Sequence, residues 1–210
     1  MIIIGAGGHA LEILDLLSEI NKDDSIVFFD NVTPSPSGFI NDKYKILRNF
    51  DDALQYFNTV DNKFTLGLGS PEIRKNLCVK FESLGGEIIS TISPFAKIGL
   101  YSNCIDNGVN ILANATISNG VTIGKGTLVY YGCIITHDCK IGNFCELSPG
   151  ATLLGKCIIG NNCQIGANAS IFPNIRIGAN SIVGAGAVVR ENVPENVMVA
   201  GVPAVIKKNL

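Results

Sequence analysis

The chain is poor in the residues that most often announce chemistry. Only two of its 210 residues are histidine. There is no excess of positive charge, because 16 lysines and arginines stand against 18 aspartates and glutamates, for a formal charge of −2 and a pI of about 5.7. Without a basic field, nucleic acid is an unfavourable partner. Nothing approaches the roughly 20 consecutive apolar residues of a membrane span, the longest candidate being the interrupted Val197 to Ile206. The opening Met1-Ile2-Ile3-Ile4-Gly5 has no basic leader or cleavage site, which predicts a cytoplasmic protein. Seven cysteines are present, but none shows the C-x₂₋₄-C spacing of a zinc site, so no metal is expected. Their odd count suits a reducing compartment.

What the chain does have is a period. Seventeen hexapeptides open with Ile, Leu or Val between Ile92 and Pro194, at Ile92 and Ile98 and then, after a one-residue slip, at every sixth residue from Ile105 to Val189. A helix cannot hold that phase, since six residues advance it by about 600°. Short stacked strands can. Four residues after each opener sits a small side chain, among them Cys133, Cys139, Cys145, Cys157 and Cys163. In an extended strand this position faces the same side as the next opener, so these five cysteines read as small core residues. Gly99, Gly124, Gly142, Gly160, Gly166, Gly178 and Gly184, each one residue after an opener, read as corner glycines where positive φ is needed. Three hexapeptides close one triangular coil, and the stretch from Ile105 to Pro194 makes a prism roughly 25 Å tall.

Before residue 91 the pattern alternates strand and helix, predicting a small parallel sheet. Ile2-Ile3-Ile4 leads through Gly5-Ala6-Gly7-Gly8-His9-Ala10 into an amphipathic helix. Strands follow at Ile26–Phe29, Phe64–Leu68 and Glu87–Ile89. Helices are expected at Asp51–Phe57 and from Ser70-Pro71-Glu72, with a Pro/Ser/Gly-rich loop, Val32 to Lys45, between. Gly5-x-Gly7-x-x-Ala10 with Asp30 twenty residues on matches the dinucleotide fingerprint. Ninety residues hold only one mononucleotide-sized half, however. The better reading is a phosphate-bearing or nucleotide-sugar ligand at a helix N-terminus.

The hexapeptide run resembles the hexapeptide acyltransferases. The GAGGHA opening, the Asp30-Asn31 pair, the Gly69-Ser70-Pro71-Glu72-Ile73-Arg74-Lys75 segment and the repeats together resemble bacterial nucleotide-4-amino-sugar N-acetyltransferases and sialic acid O-acetyltransferase-like proteins. The resemblance implies a Rossmann-like α/β nucleotide-sugar-binding domain at 1–90 and a left-handed parallel β-helix acyltransferase domain at 91–210. It implies a homotrimer with acetyl-CoA bound between subunits. By carry-over, Gly7, Gly8, His9, Asp30, Asn31, Gly69 and Ser70 hold the nucleotide sugar. Gly155, Gly166, Ala167 and Ala185, along one prism edge, hold acetyl-CoA, with Glu146 where some relatives have a second histidine. The closing Gly201-Val202-Pro203-Ala204 resembles the family's last segment, and Lys207 and Lys208 after it could meet CoA phosphate.

Of the two histidines, His137 is the third residue of its hexapeptide, so its ring points out of the prism. Imidazole accepts a proton near neutral pH, the service an amine or hydroxyl needs when it attacks a thioester. Asp138 can hold the ring tautomer. The family places its general base in this H-[DE]-C segment, the adjacent acid raising its basicity. Direct transfer in a ternary complex is expected, to the nitrogen of an amino sugar or, as a near alternative, to the oxygen of a sugar such as sialic acid. A non-catalytic assembly solenoid is the alternative of another class. A three-histidine zinc site of the γ-carbonic anhydrase type cannot be built from His137 alone.

Overall fold

The computed structural model describes residues 1–20, 25–34 and 38–210, which form two compact units, Met1–Thr91 and Ile92–Leu210.

The first unit is a sheet in the order β3-β4-β2-β1-β5-β6, built from β1 (Ile2–Ile4), β2 (Val27–Phe29), β3 (Phe39–Ile40), β4 (Tyr44–Leu47), β5 (Lys63–Leu66) and β6 (Glu87–Ile88). Its helices are α1 (Gly8–Glu19), α2 (Phe50–Thr59) and α3 (Pro71–Ser83). All pairs are parallel except β3 with β4. The pair β3 and β4 occupies much of the stretch expected to be loop, while residues 35–37 of that stretch lie outside the described residues. Helix α2 starts at Phe50 because Asn49 caps it, accepting from the Asp52 amide at 2.8 Å. The core is aromatic. Phe81 of α3 stands edge-on to Phe29 at 4.8 Å and to Phe57 at 5.9 Å, and packs tilted on Phe64 at 5.6 Å.

Because β2 and β5 lie on opposite sides of β1, the strand order reverses at β1, and the carboxyl ends of these parallel strands leave a crevice there. Gly5 ends β1 with φ +106°, and a Cβ there would lie 2.7 Å from the Gly67 carbonyl oxygen. Gly67 in turn admits Ala10, since its own Cβ would meet Ala10 Cβ at 2.8 Å. Of the fingerprint residues, Gly5 and Ala10 thus bring helix and sheet together, while Gly7 and Gly8 face open space.

The second unit is a three-faced parallel β-helix whose sheets contain eight, six and five strands among the described residues. Ile117 pairs with Ile135 and Ile135 with Leu153, so one coil is eighteen residues. The slip seen in the sequence is one extra residue in the first coil, where Ile98 pairs with Ile117 and the widened corner exposes Leu100 and Tyr101. At the far end the coil tightens, with Ile177 bridging to Val193 and Val183 pairing with Val199. The chain then doubles back in an exposed strand, Val205–Asn209, which carries Lys207 and Lys208.

The openers and the small residues fill the interior. All five periodic cysteines are fully buried, and their thiols donate to main-chain carbonyls of the next coil, Cys145 to Gly160 at 3.0 Å and Cys163 to Gly178 at 3.0 Å. Burial pushes the Cys133 thiol up to about 12. They are packing residues.

The glycines at the second position differ from the expectation. None of the seven has positive φ. They are glycine because the next coil lies on them, a Cβ at Gly142 meeting Asn161 Oδ1 at 2.5 Å and one at Gly160 meeting the Ala179 amide nitrogen at 2.6 Å. Positive φ falls two residues later, at Asn114, Gly120, Asp138, Gly150, Asn162, Asn168 and their counterparts. Asn and Gly are the residues that accept it at least cost.

Candidate functional site

On the prism, residues share an edge only if they stand a whole coil, eighteen residues, apart. The edge after the Ile135 strand carries Asn119, His137 and Gly155 in succession. The ring of His137 is open, its side chain 61% exposed, and Nδ1 lies 2.9 Å from Asp138 Oδ2. Asp138 takes positive φ, +60°, and its amide donates to the Asn119 carbonyl at 3.1 Å. The main chain therefore fixes the carboxylate, and the carboxylate fixes the imidazole. With Nδ1 held, Nε2 is left to exchange a proton with something outside.

Gly155 stands one coil beyond His137 on this edge. Gly166, Ala167 and Ala185 do not: they follow the Ile165 and Val183 strands and line the edge on the other side of the intervening face. The expectation of one shared edge is corrected, because Gly155 and Ala167 are twelve residues apart, two corners of three. Gly166 is itself a stacking glycine, its Cβ position 2.5 Å from the Ala185 amide nitrogen. Glu146 is on neither edge. It lies on a face beside Leu128 and Gln164 and accepts from Ser148 Oγ at 2.7 Å.

In the α/β unit a cleft of about 230 Å³ opens at the carboxyl ends of β1, β2 and β5, between Gly5, Asp30, Asn31, Thr33, Leu68 and Ile73. Asp30 Oδ1 accepts from the amides of Val32 at 2.9 Å and Thr33 at 2.8 Å. Burial alone would raise the pKa of its carboxyl, but these amides, the Thr33 side chain and the nearby Arg48 outweigh it and hold it below the usual range. Gly7, Gly8 and Gly69 are exposed, with nothing within 4 Å of a Cβ position. Helices α1 and α3 begin at this end without a side-chain cap, and the hydroxyl of Ser70 makes no capping bond. Uncapped amides beside glycines suit an anion.

His9 is placed differently from its glycine neighbours. Its side chain is 8% exposed, with Nδ1 3.0 Å from Glu12 Oε2, and burial pushes its pKa down. Only the main chain of His9 is available to a ligand. Sequence reading missed Arg48, whose Nη1 donates to the carbonyls of Asp30 and Thr33, each at 2.6 Å, and so braces one wall of the cleft. No local pattern marks an arginine eighteen residues from the turn it holds.

Residues 1–81 match the family profile described as PglD N-terminal domain, and 120–155, 138–173 and 156–191 match the bacterial transferase hexapeptide, six repeats. The coil is the left-handed β-helix of those transferases. No curated protein sequence matches significantly. Among solved structures, PerB of Caulobacter crescentus, in complex with CoA and GDP-perosamine, is 27% identical over 99% of this chain and 96% of its own, with a TM-score of 0.90. The acetyltransferase domain of PglB from Neisseria gonorrhoeae FA1090, in complex with acetyl coenzyme A, is 28% identical over 100% and 98%, TM-score 0.86. WeeI of Acinetobacter baumannii AYE is 26% identical over 98% of each, TM-score 0.89.

Proposed function

This chain belongs to the hexapeptide-repeat sugar acetyltransferases built on a PglD-type N-terminal domain, and on that footing we propose that it moves the acetyl group of acetyl-CoA to the amine of a nucleotide-linked amino sugar, such as a 4-amino-4,6-dideoxy sugar, for a surface glycan. The observation that carries the reading is the open His137 with Nδ1 on Asp138. The complexes of PerB with CoA and GDP-perosamine support it.

In this reading the α/β unit holds the nucleotide sugar. Its phosphates meet the amides at Gly7, Gly8, His9, Gly69 and Ser70, and the nucleoside lies in the cleft of Asp30 and Asn31. The neutral amine attacks the thioester carbonyl, forming the C–N bond, and His137 Nε2 takes the proton the nitrogen sheds. Asp138 keeps the Nδ1–H tautomer and stabilises the imidazolium. The tetrahedral intermediate collapses with loss of the C–S bond, and the proton passes from His137 to the departing thiolate. The products are an amide and free CoA, with no acyl-enzyme. The interior cysteines offer no nucleophile, because all five are fully buried in the core and their thiols are turned to main-chain carbonyls of the next coil.

His137 with Gly155 and the trio Gly166, Ala167 and Ala185 stand on different edges of one prism. A cytoplasmic homotrimer, in which acetyl-CoA runs between the His137 edge of one copy and the other edge of the next, reunites them.

The test is thiol release from acetyl-CoA with a panel of nucleotide-linked amino sugars, hydroxylated sugars and free sialic acid, the product identified by its gain of one acetyl group. Release with an amino sugar and none with its hydroxyl counterpart is expected. Release with hydroxylated acceptors alone would make the enzyme an O-acetyltransferase, and binding or turnover with none would favour the assembly solenoid.

A further inference from the structure

Seventeen residues occupy the third position of the hexapeptides, and Gly155 is the only glycine among them. The others include Ala113, Ala167, Ala179 and Ala185, and also Pro149, Pro173, Lys125 and Tyr131. The corner backbone therefore has no need of glycine here. Gly155 does not take positive φ, so conformation does not demand it. It differs too from the second-position glycines, which meet the next coil: its backbone, a side-chain amide or, at Gly184, the Ala200 methyl. A Cβ on Gly155 would meet a side chain of the preceding coil, lying 2.7 Å from both Cε1 and Nε2 of His137 and 3.4 Å from Cδ2. The imidazole lies against the bare Cα of Gly155.

The partner of His137 is fitted in the same way from the other side. A Cβ on Gly120, one coil before Asp138, would lie 2.6 Å from Asp138 Oδ1. The dyad thus occupies space that two missing methyl groups leave, one beneath the carboxylate and one above the ring.

We propose that Gly155 is a positioning residue for the base: its missing side chain lets the Cε1–Nε2 edge of the His137 ring lie against the next coil with Nδ1 on Asp138, and so aims Nε2. The inference rests on the reading of His137 as general base and goes beyond any contact Gly155 makes with a ligand. To reach ordinary contact distance with an added methyl, the ring must move by roughly 1 Å, a misplacement that costs on the order of ten- to a hundredfold in rate.

The test compares wild type, Gly155→Ala, His137→Ala and the double variant. Gly155→Ala is expected to lower kcat on the order of ten- to a hundredfold as its main effect, with KM for the acceptor little changed and the melting temperature held within about 2 °C. In the His137→Ala background the same change is expected to cost nothing further, because nothing is left to aim. A readout free of turnover is the imidazole ¹⁵N spectrum, simple in a chain with two histidines: Gly155→Ala moves the His137 signals and leaves those of His9 in place. Unmoved His137 signals, a rise in the acetyl-CoA KM as the main effect, or an undiminished loss in the double variant would each overturn the proposal. Loss of the base reading itself shows separately, as full turnover in His137→Ala.

Discussion

The coil and the α/β unit hold their open residues by different means. In the coil, His137 depends on its own neighbour Asp138 and on what lies one coil away, Asn119 and Gly155. Its side chain is mostly exposed, so the stack would close as well around another one. In the α/β unit the cleft is made where separate segments converge: Gly5 on Gly67, Gly67 on Ala10, and Arg48 on the turn at Asp30. A change at the coil's edge should therefore alter chemistry and spare stability, whereas changes in the α/β unit should alter binding and stability together.

The strongest challenge to that contrast is Phe81→Ala, which removes the ring that Phe29, Phe57 and Phe64 share. It should destabilise the α/β unit by about 3–5 kcal/mol. Hydrogen exchange should show that unit opening while the coil's strands stay protected, and equal loss of protection in both would mean that they unfold as one. Gly160→Ala damages the coil's stacking instead. It should cost about 1–3 kcal/mol through overpacking, read as a fall in the denaturation midpoint. Arg48→Ala tests the link between brace and cleft: KM for the nucleotide sugar should rise about tenfold, the equivalent of 1.4 kcal/mol, with kcat nearly unchanged. An unchanged KM would detach that wall of the cleft from binding.

The smallest effect is one of pH. Burial holds the folded pKa of His9 below its ordinary 6.5, while Glu12 pulls it up and the Arg74 guanidinium adds to the lowering. The unfolded chain therefore takes the proton first as pH falls. The contribution of His9 to stability is complete above about pH 6.5. It declines as pH drops from there and levels off below the lowered folded value. Melting of the α/β unit between pH 7.5 and pH 5 checks this, and His9→Gln should flatten the profile.

The same contrast governs what a reader of the sequence can find. The repeat announces its own geometry, so His137 stands out as a third-position residue the coil does not explain, and five cysteines fall into the core by phase alone. Even there, the second-position glycines mislead, since stacking between coils and not φ selects them, and the two prism edges become distinct only when corners are counted. In the α/β unit the glycine turn and the Asp30-Asn31 pair are visible. The burial of His9, the β3–β4 pair and the reach of Arg48 are not, because each is set by a partner distant in sequence.

The central claim is that His137 serves the reaction and not the fold. Its most direct test is His137→Ala, with kcat and melting temperature measured on the same preparation. Turnover should fall on the order of 10² to 10⁴-fold, with the melting temperature held within about 2 °C, as befits a side chain that is 61% exposed. Undiminished turnover, or a loss matched by a collapse in stability, would contradict it.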